Sequence, residues 1–225
     1  MTGQYENQVV FDIETIADKT MLDIMPDIKP NGNLKDPVKI QADISKKKVE
    51  QINKMGLDPM FNIICMAGWC DKNGPQFVKL DADPVDSPQN ILKAEKKLLI
   101  DFWDALSVYD KFITFNGRNF DLRVMMLHGI THGIRCGVSI DSGRYNKGNH
   151  IDLRQILAGD NQFASGKLDF FCKKFLGEGK MEGIDGELVQ EYWEFGLIDD
   201  IVKYNQDEVK KMWDLSLMVE TAGLI

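Results

Sequence analysis

The sequence has little cysteine and no long apolar run. Four cysteines in 225 residues (Cys65, Cys70, Cys136 and Cys172) are too few for a disulfide framework, and none stands in a Cys-x-x-Cys pair. No apolar segment approaches the ~18 residues needed to cross a bilayer. The N-terminus also lacks the basic and then apolar pattern of a signal peptide. These absences favour a reducing, cytoplasmic compartment and predict no membrane partner.

The sequence also lacks an excess of positive charge. Its net charge of −8 argues against a protein that grips duplex DNA by broad phosphate neutralisation. The charge is compatible with an enzyme that handles a few nucleotides at a strand end. Part of the acidity would suit a metal site, where bound cations reverse the local field.

The pattern of apolar residues predicts one α/β domain over residues 1–225. Short runs rich in β-forming residues predict five strands, over 8–13, 62–70, 76–80, 111–115 and 150–153. Helical spacing predicts helices over 87–107, from about 119, and over 168–176, 187–195 and 199–221. The pair Asp36-Pro37 predicts the start of a further helix, so that residues 20–60 form a partly helical insertion. This order of elements predicts a mixed five-stranded sheet flanked by helices.

Two acids stand one residue apart at the end of the first predicted strand. Alternate side chains of a strand share a face, so Asp12 and Glu14 project together. Neighbouring carboxylates repel each other unless a cation lies between them. A strand end that emerges into solvent explains the pair equally well.

Two later segments also carry acids. Asp121 follows the turn Asn116-Gly117 and lies in the first turn of a helix, where the helix dipole alone favours an acid. Tyr204 and Glu208 are four residues apart and share a face of the last helix. Each segment is weak evidence by itself. Together they offer the hard oxygen ligands that magnesium and manganese prefer.

In this order, the three segments resemble the motifs of the DEDD superfamily of 3′-5′ exonucleases. Phe11-Asp12-Ile13-Glu14-Thr15 resembles the first motif, the segment from Phe115 to Asp121 the second, and the segment from Tyr204 the late Tyr-x-x-x-Asp motif. The nearest branch is the proofreading exonuclease domain of family B DNA polymerases and its stand-alone relatives. Leu34-Lys35-Asp36-Pro37, His150-Ile151-Asp152-Leu153 and Gly179-Lys180 with Gly186 support the same branch.

This resemblance implies a ribonuclease H-like fold and two Mg²⁺ or Mn²⁺ ions per active site. Asp12, Glu14, Asp121 and the last acid would bind the ions, which activate a water and steady the departing 3′-oxygen. Tyr204 would orient the water. Asn116 is a candidate contact of the terminal nucleotide, and Phe115 is a candidate wedge against a base, which would suit aromatic stacking on single strands. A turn asparagine and a buried phenylalanine are readings of equal weight.

The last motif departs from the family. The family has aspartate four residues after the tyrosine, where this chain has Glu208, preceded by Asp207. An ungapped alignment of apolar positions favours Glu208, whereas Asp207 has the expected side-chain length but needs a one-residue shift. The histidine class of the superfamily is not indicated, because Lys203 or Val202 stands at its histidine position.

The expected function is therefore a 3′-5′ exonuclease with single-stranded DNA as the favoured substrate and RNA as the alternative. A non-catalytic accessory or recruitment module in replication or repair is the rival function. The change at Glu208 favours the rival, and the retained acids oppose it.

Two further features are assigned no catalytic role from the sequence. Asp152 is interpreted as a strand-end acid, with support of a metal ligand as the alternative. His128 and His132 have the spacing of a metal pair on a helix. The intervening Gly129 and the lack of a recognisable third ligand argue against that pair.

Overall fold

The computed structural model describes residues 7–141, 143, 148–159, 166–181, 183–184 and 186–225. The strands are β1 (Gln8–Ala17), β2 (Asn62–Asp71), β3 (Gly74–Lys79), β4 (Lys111–Thr114) and β5 (His150–Asp152). The helices are α1 (Pro37–Gly56), α2 (Pro88–Leu106), α3 (Asp121–His132), α4 (Leu153–Ala158), α5 (Leu168–Phe175), α6 (Val189–Glu194) and α7 (Ile198–Thr221). A 3-10 helix spans Lys19–Ile24.

The strands form one mixed sheet in the order β3-β2-β1-β4-β5. The central strand β1 is antiparallel to β2 and parallel to β4, and β4 is parallel to β5. The predicted α/β fold with a mixed five-stranded sheet flanked by helices is thus confirmed. Strand β1 ends at Ala17 instead of Ile13, because its later residues continue to pair with β2 as far as Asn62.

The two neighbours of β1 differ in length. β2 pairs with β1 along most of its course, whereas β4 pairs only with Gln8, Val9 and Val10. The part of β1 that begins near Asp12 therefore has no strand beside it on the β4 side. A crevice at the carboxyl ends of parallel strands is where open α/β sheets commonly bind their ligands.

Alternate residues of β1 pack into two apolar layers. Phe11 is fully buried on the face covered by α2, where its ring meets the ring of Phe102 edge-on at 5.8 Å. Val10 belongs to the opposite layer, which α5 and α7 cover with residues such as Phe171 and Val209. Helices on both faces therefore fix β1, the strand that carries the first acid pair.

Local signals account for most element boundaries. The Asp36 side chain accepts a hydrogen bond from the Val38 N–H and Pro37 begins α1, as predicted. The β2–β3 turn is tighter than predicted: Asp71 pairs with Gly74 across two residues. Leu153, predicted to be in a strand, begins the short helix α4. No described helix combines the length and the apolar character needed to span a membrane. The single-domain organisation with an insertion at 20–60 stays a prediction.

Candidate active site

Three carboxylates meet beside the part of β1 that has no β4 partner. Asp12, Glu14 and Glu208 each offer an oxygen, and these oxygens lie within 4.8 Å of one another. Asp12 is partly exposed, whereas Glu14 and Glu208 are buried. Strand β1 and helix α7, from opposite ends of the chain, thus bring together a group of acids that is close enough to share a cation.

Asp121 lies next to this trio at the start of α3. It is only 3% exposed, and its Oδ1 accepts a hydrogen bond from the backbone N–H of Ile13 at 3.1 Å. Ile13 has no β4 partner, so the carboxylate fills the place that a neighbouring strand would take. Ile13 lies between Asp12 and Glu14 in β1, so this hydrogen bond places the Asp121 carboxylate close to both acids.

The two adjacent acids of α7 point to different surroundings. Glu208 accepts a hydrogen bond from the Tyr204 hydroxyl at 2.7 Å and faces the acids of β1. Asp207 accepts hydrogen bonds from Lys211 Nζ at 2.7 Å and from the Met181 N–H at 2.8 Å. Consecutive helical residues are rotated by about 100°, so only one of the pair can face Asp12 and Glu14. That residue is Glu208.

Lys180 contributes a cation to the site. Its Nζ forms an ion pair with Glu208, lies 3.3 Å from the Tyr204 hydroxyl and sits 5.5 Å from the centre of the Tyr204 ring. The Lys180 N–H donates to Asp169 of α5 at 2.9 Å, which fixes the backbone there. The sequence pointed to Lys180 only as part of a supporting motif. Its place at the acids follows from the fold.

Asn205 is a second contributor that the sequence did not identify. Its fully buried amide donates to Asp12 Oδ2 at 3.0 Å and lies 3.4 Å from Glu14 Oε1. Gly68 of β2 makes room for it, since a Cβ at that glycine would lie 1.8 Å from Asn205 Oδ1. An asparagine next to a motif tyrosine gives no signal that could be recognised in the sequence. Its role, which is to hold the two acids in place, is visible only in the fold.

The site holds its acids in an environment that disfavours their charge. Burial raises the pKa of Asp12 to about 6, although the Lys180 cation opposes the shift. Burial and the Asp12 charge raise the pKa of Glu14 to about 8. Burial, and then the Asp12 charge, raise the pKa of Asp121 well above its ordinary value. A divalent cation would offset both causes, since it supplies positive charge where the carboxylates are desolvated.

Phe115 and Asn116 lie just after β4, at the end of the sheet where α3 begins. Asn116 adopts a left-handed conformation with φ of 66°, and its N–H donates to Asp152 Oδ1 at 2.8 Å. The ring of Phe115 packs at 5.9 Å from that of Phe171. Asp152 also caps α4 by accepting from the Arg154 N–H. Its contacts in the described structure are therefore those of a turn-holding and capping residue.

The expectation that no third ligand accompanies His128 and His132 is wrong. Both rings contact the carboxylate of Glu95 on α2, and these three side chains form a second group with metal-ligand spacing. Glu95 is 33 residues before His128 in the chain, so no local spacing could have linked them.

Residues 61–222 match a family described as a predicted 3′-5′ exonuclease related to the exonuclease domain of PolB. The chain belongs to this family. The match confirms the resemblance to PolB exonucleases and indicates a nuclease-type function for the PolB-related domain. It includes Asp121, Tyr204 and Glu208. Asp12 and Glu14 precede it in the chain and lie on β1, which pairs with β2 inside the matched range.

Two named proteins are similar to this PolB-related domain. DNA polymerase 1 of Sulfolobus acidocaldarius is 27% identical over 142 residues, which cover 57% of this chain and 15% of the polymerase. The family B DNA polymerase of Pyrobaculum calidifontis superposes with a TM-score of 0.58 at 17% identity, over 95% of this chain and 24% of the polymerase. The chain spans a quarter or less of each polymerase, and the structural likeness supports the fold.

Proposed function

We propose that this protein is a metal-dependent 3′-5′ exonuclease that removes nucleotides from the 3′ end of nucleic acid, with single-stranded DNA as its favoured substrate. The convergence of Asp12, Glu14 and Glu208 within 4.8 Å carries the proposal. A binding module has no use for three carboxylates held close together, two of them buried, because this arrangement costs stability. A phosphodiester hydrolase does have a use for such acids, because they would hold the cations that hydrolysis needs.

The donor set suits two Mg²⁺ or Mn²⁺ ions. All the proposed ligands are carboxylates, which match hard divalent cations better than softer metals. We assign the ligands as Asp12, Glu14, Asp121 and Glu208, and place Asp207 outside the set because Lys211 and the Met181 N–H already engage it. When bound, the ions supply a water of lowered pKa and stabilise the charge on the leaving oxygen.

Three other residues would prepare the site. Tyr204 donates to Glu208 and so stands at the edge of the cation site, where its hydroxyl would orient the attacking water. Lys180 would offset phosphate charge from the same side. Asn205 holds Asp12 and Glu14 in one orientation through its amide. Fixed partners of this kind commonly tune metal affinity by 10–100-fold, in order of magnitude.

The substrate would reach the site from the carboxyl end of β4. We assign Asn116 to the terminal nucleotide and Phe115 to stacking against a base, since both lie at the turn that leads to Asp121. Stacking on an aromatic ring is tolerant of base identity and suits single strands. With a net charge of −8, the protein is better suited to a short single-stranded end than to a long duplex. Its expected compartment is the cytoplasm.

A 5′-labelled oligonucleotide tests the proposal. With Mg²⁺ or Mn²⁺ we expect a ladder of stepwise products shortened from the 3′ end, which chelator abolishes and a 3′-terminal phosphorothioate blocks. The RNA oligonucleotide of the same sequence should be shortened more slowly. Oligonucleotides that remain intact with both metals would instead support the accessory or recruitment module.

Two neighbouring variants test the ligand assignment. Glu208→Ala should abolish shortening, because it removes an acid that faces Asp12 and Glu14. Asp207→Ala is the matched control and should retain activity, since its contacts are with Lys211 and Met181. Loss of activity in Asp207→Ala alone, with its fold intact, would overturn the assignment.

A further inference from the structure

A second cluster of ligand-type side chains lies on the sheet face covered by α2. Glu95 of α2 is 1% exposed, and its Oε1 lies 2.6 Å from His128 Nδ1. Its Oε2 lies 2.7 Å from His132 Nε2, one turn further along α3. The proposed exonuclease chemistry uses none of the three residues. Polar groups such as these are costly to desolvate, so packing alone is a poor explanation for two histidines and a carboxylate that meet in the interior.

The outer nitrogen of His128 reveals where its proton lies. His128 Nε2 is 3.0 Å from Asn62 Oδ1, and Asn62 Nδ2 donates to the Gly56 carbonyl at 3.2 Å. A carbonyl only accepts, so the Asn62 amide cannot be turned around without losing this bond. Nε2 of His128 must therefore be a donor. In the neutral ring, Nδ1 then presents a lone pair towards the Glu95 carboxylate.

A lone pair and a carboxylate oxygen 2.6 Å apart repel each other unless a proton or a metal cation lies between them. A proton on His128 would satisfy this contact. The surroundings also provide what a metal ligand needs, because ligating histidines usually donate their second N–H to an oxygen that fixes the ring. Asn62 supplies that oxygen to His128. Glu95 is fixed in the same way, since its Oε1 accepts from the Ile64 N–H at 2.7 Å.

We propose that Glu95, His128 and His132 bind a transition-metal ion of the zinc type. Zinc accepts two imidazoles and a carboxylate, with a water in the fourth position. Zinc–ligand bonds of about 2.0–2.2 Å place neighbouring ligand atoms roughly 3.3 Å apart in a tetrahedral site. Each histidine ring would move back by about 0.6–0.7 Å from the Glu95 oxygen that it contacts to admit the ion.

The ion would tie three elements together. Glu95 belongs to α2, both histidines to the C-terminal half of α3, and Asn62 begins β2. The same helix α3 begins with Asp121, seven residues before His128 and on the same side of the helix. A metal at its far end would therefore fix the helix that positions Asp121. This role is structural and does not depend on turnover at the other site.

Cobalt absorption tests the site without any activity assay. Metal-free protein is first given excess Mg²⁺, which occupies carboxylate sites, and is then titrated with Co²⁺. Four-coordinate Co²⁺ with imidazole ligands absorbs strongly in the visible range, whereas octahedral Co²⁺ on oxygen ligands absorbs weakly. We expect one strongly absorbing Co²⁺ ion per chain. Zn²⁺ should displace this ion, and binding of Co²⁺ should raise the melting temperature of the protein.

Variants on one turn of α3 provide the controls. His132→Gln should abolish the strong absorption and the metal-dependent rise in melting temperature, while Thr131→Gln, on the exposed side of the same turn, should keep both. Circular dichroism would verify that His132→Gln is folded, and the wild-type titration decides the matter if it is not. A wild-type protein without strong absorption, or an unchanged spectrum in folded His132→Gln, would overturn the proposal.

Discussion

Raising the pH of the metal-free protein should destabilise it, in a range where most proteins change little. Glu14 has an ordinary pKa of 4.5 and a folded pKa of about 8. Between these values the folded protein keeps a proton that the unfolded chain has lost. The stability that this group contributes is therefore present below pH 4.5 and is lost as the pH rises to about 8.

The size of this loss follows from the linkage of protons to folding. Each pH unit between the two pKa values costs about 1.4 kcal/mol for one group. From pH 6.5 to pH 8, Glu14 alone should reduce the free energy of unfolding by about 2 kcal/mol. The range begins above the pKa of Asp12, raised to about 6, and above that of His150, lowered to about 4 by burial. The raised pKa of Asp121 adds to the loss in the same direction.

Urea denaturation in chelator at pH 6.5 and pH 8 measures the effect. Adding Mn²⁺ should remove most of the loss at pH 8, because the cation binds the ionised acids of the folded state. In chelator, Glu14→Gln should lose less stability than wild type between the two pH values and keep only the part of the loss that Asp121 contributes, while Glu50→Gln on the exposed side of α1 should behave as wild type. A Glu14→Gln protein with the same pH dependence as wild type would refute the reasoning.

Three further predictions rest on single contacts. Lys180→Met should move the pH midpoint of Mn²⁺ binding to higher pH in calorimetric titrations, since the lysine lowers the pKa of Asp12 and Glu14. Lys180→Arg should restore the wild-type midpoint. An unmoved midpoint in Lys180→Met would contradict the role of the lysine at these acids. Asn205→Ala should weaken Mn²⁺ binding at pH 8 by about tenfold, and an unchanged affinity would show that the amide does not hold the acids. Asp36→Ala removes the α1 cap and should lower the free energy of unfolding in urea by about 1 kcal/mol without altering Mn²⁺ affinity. A variant that loses both stability and Mn²⁺ affinity would contradict this prediction.

The sequence predicted the fold well because its signals are local. The periodicity of apolar residues and the pair Asp36-Pro37 act over a few residues, and each strand and long helix was found close to its observed position. The errors lie at element ends. β1 continues to Ala17 because it pairs with β2, a partner some 50 residues away. Leu153 begins a helix instead of continuing a strand, since Asp152 caps it.

The site could be predicted only where a residue type itself suggests its chemistry. The acids Asp12, Glu14 and Asp121 were recognisable as candidate cation ligands, and an ungapped alignment of apolar positions favoured Glu208. Asn205 and Lys180 were not found as site residues, because an amide and a lysine are ordinary residues until the fold brings them to the acids. Glu95 was missed for the same reason. Its partners lie on another helix, and their meeting depends on how α2 and α3 pack.

Because glycine has no Cβ, position 68 should tolerate substitution in an unusual way. Gly68 lies within β2, opposite Asp12, and glycine in a strand interior ordinarily weakens the strand. Alanine should thus favour the strand locally, yet its methyl group would expel the Asn205 amide. In a library that varies every position, replacements at 68 should leave folded protein abundant while depleting metal-dependent function. Gly74, whose φ of 104° needs glycine but whose surroundings are open, should show the reverse pattern.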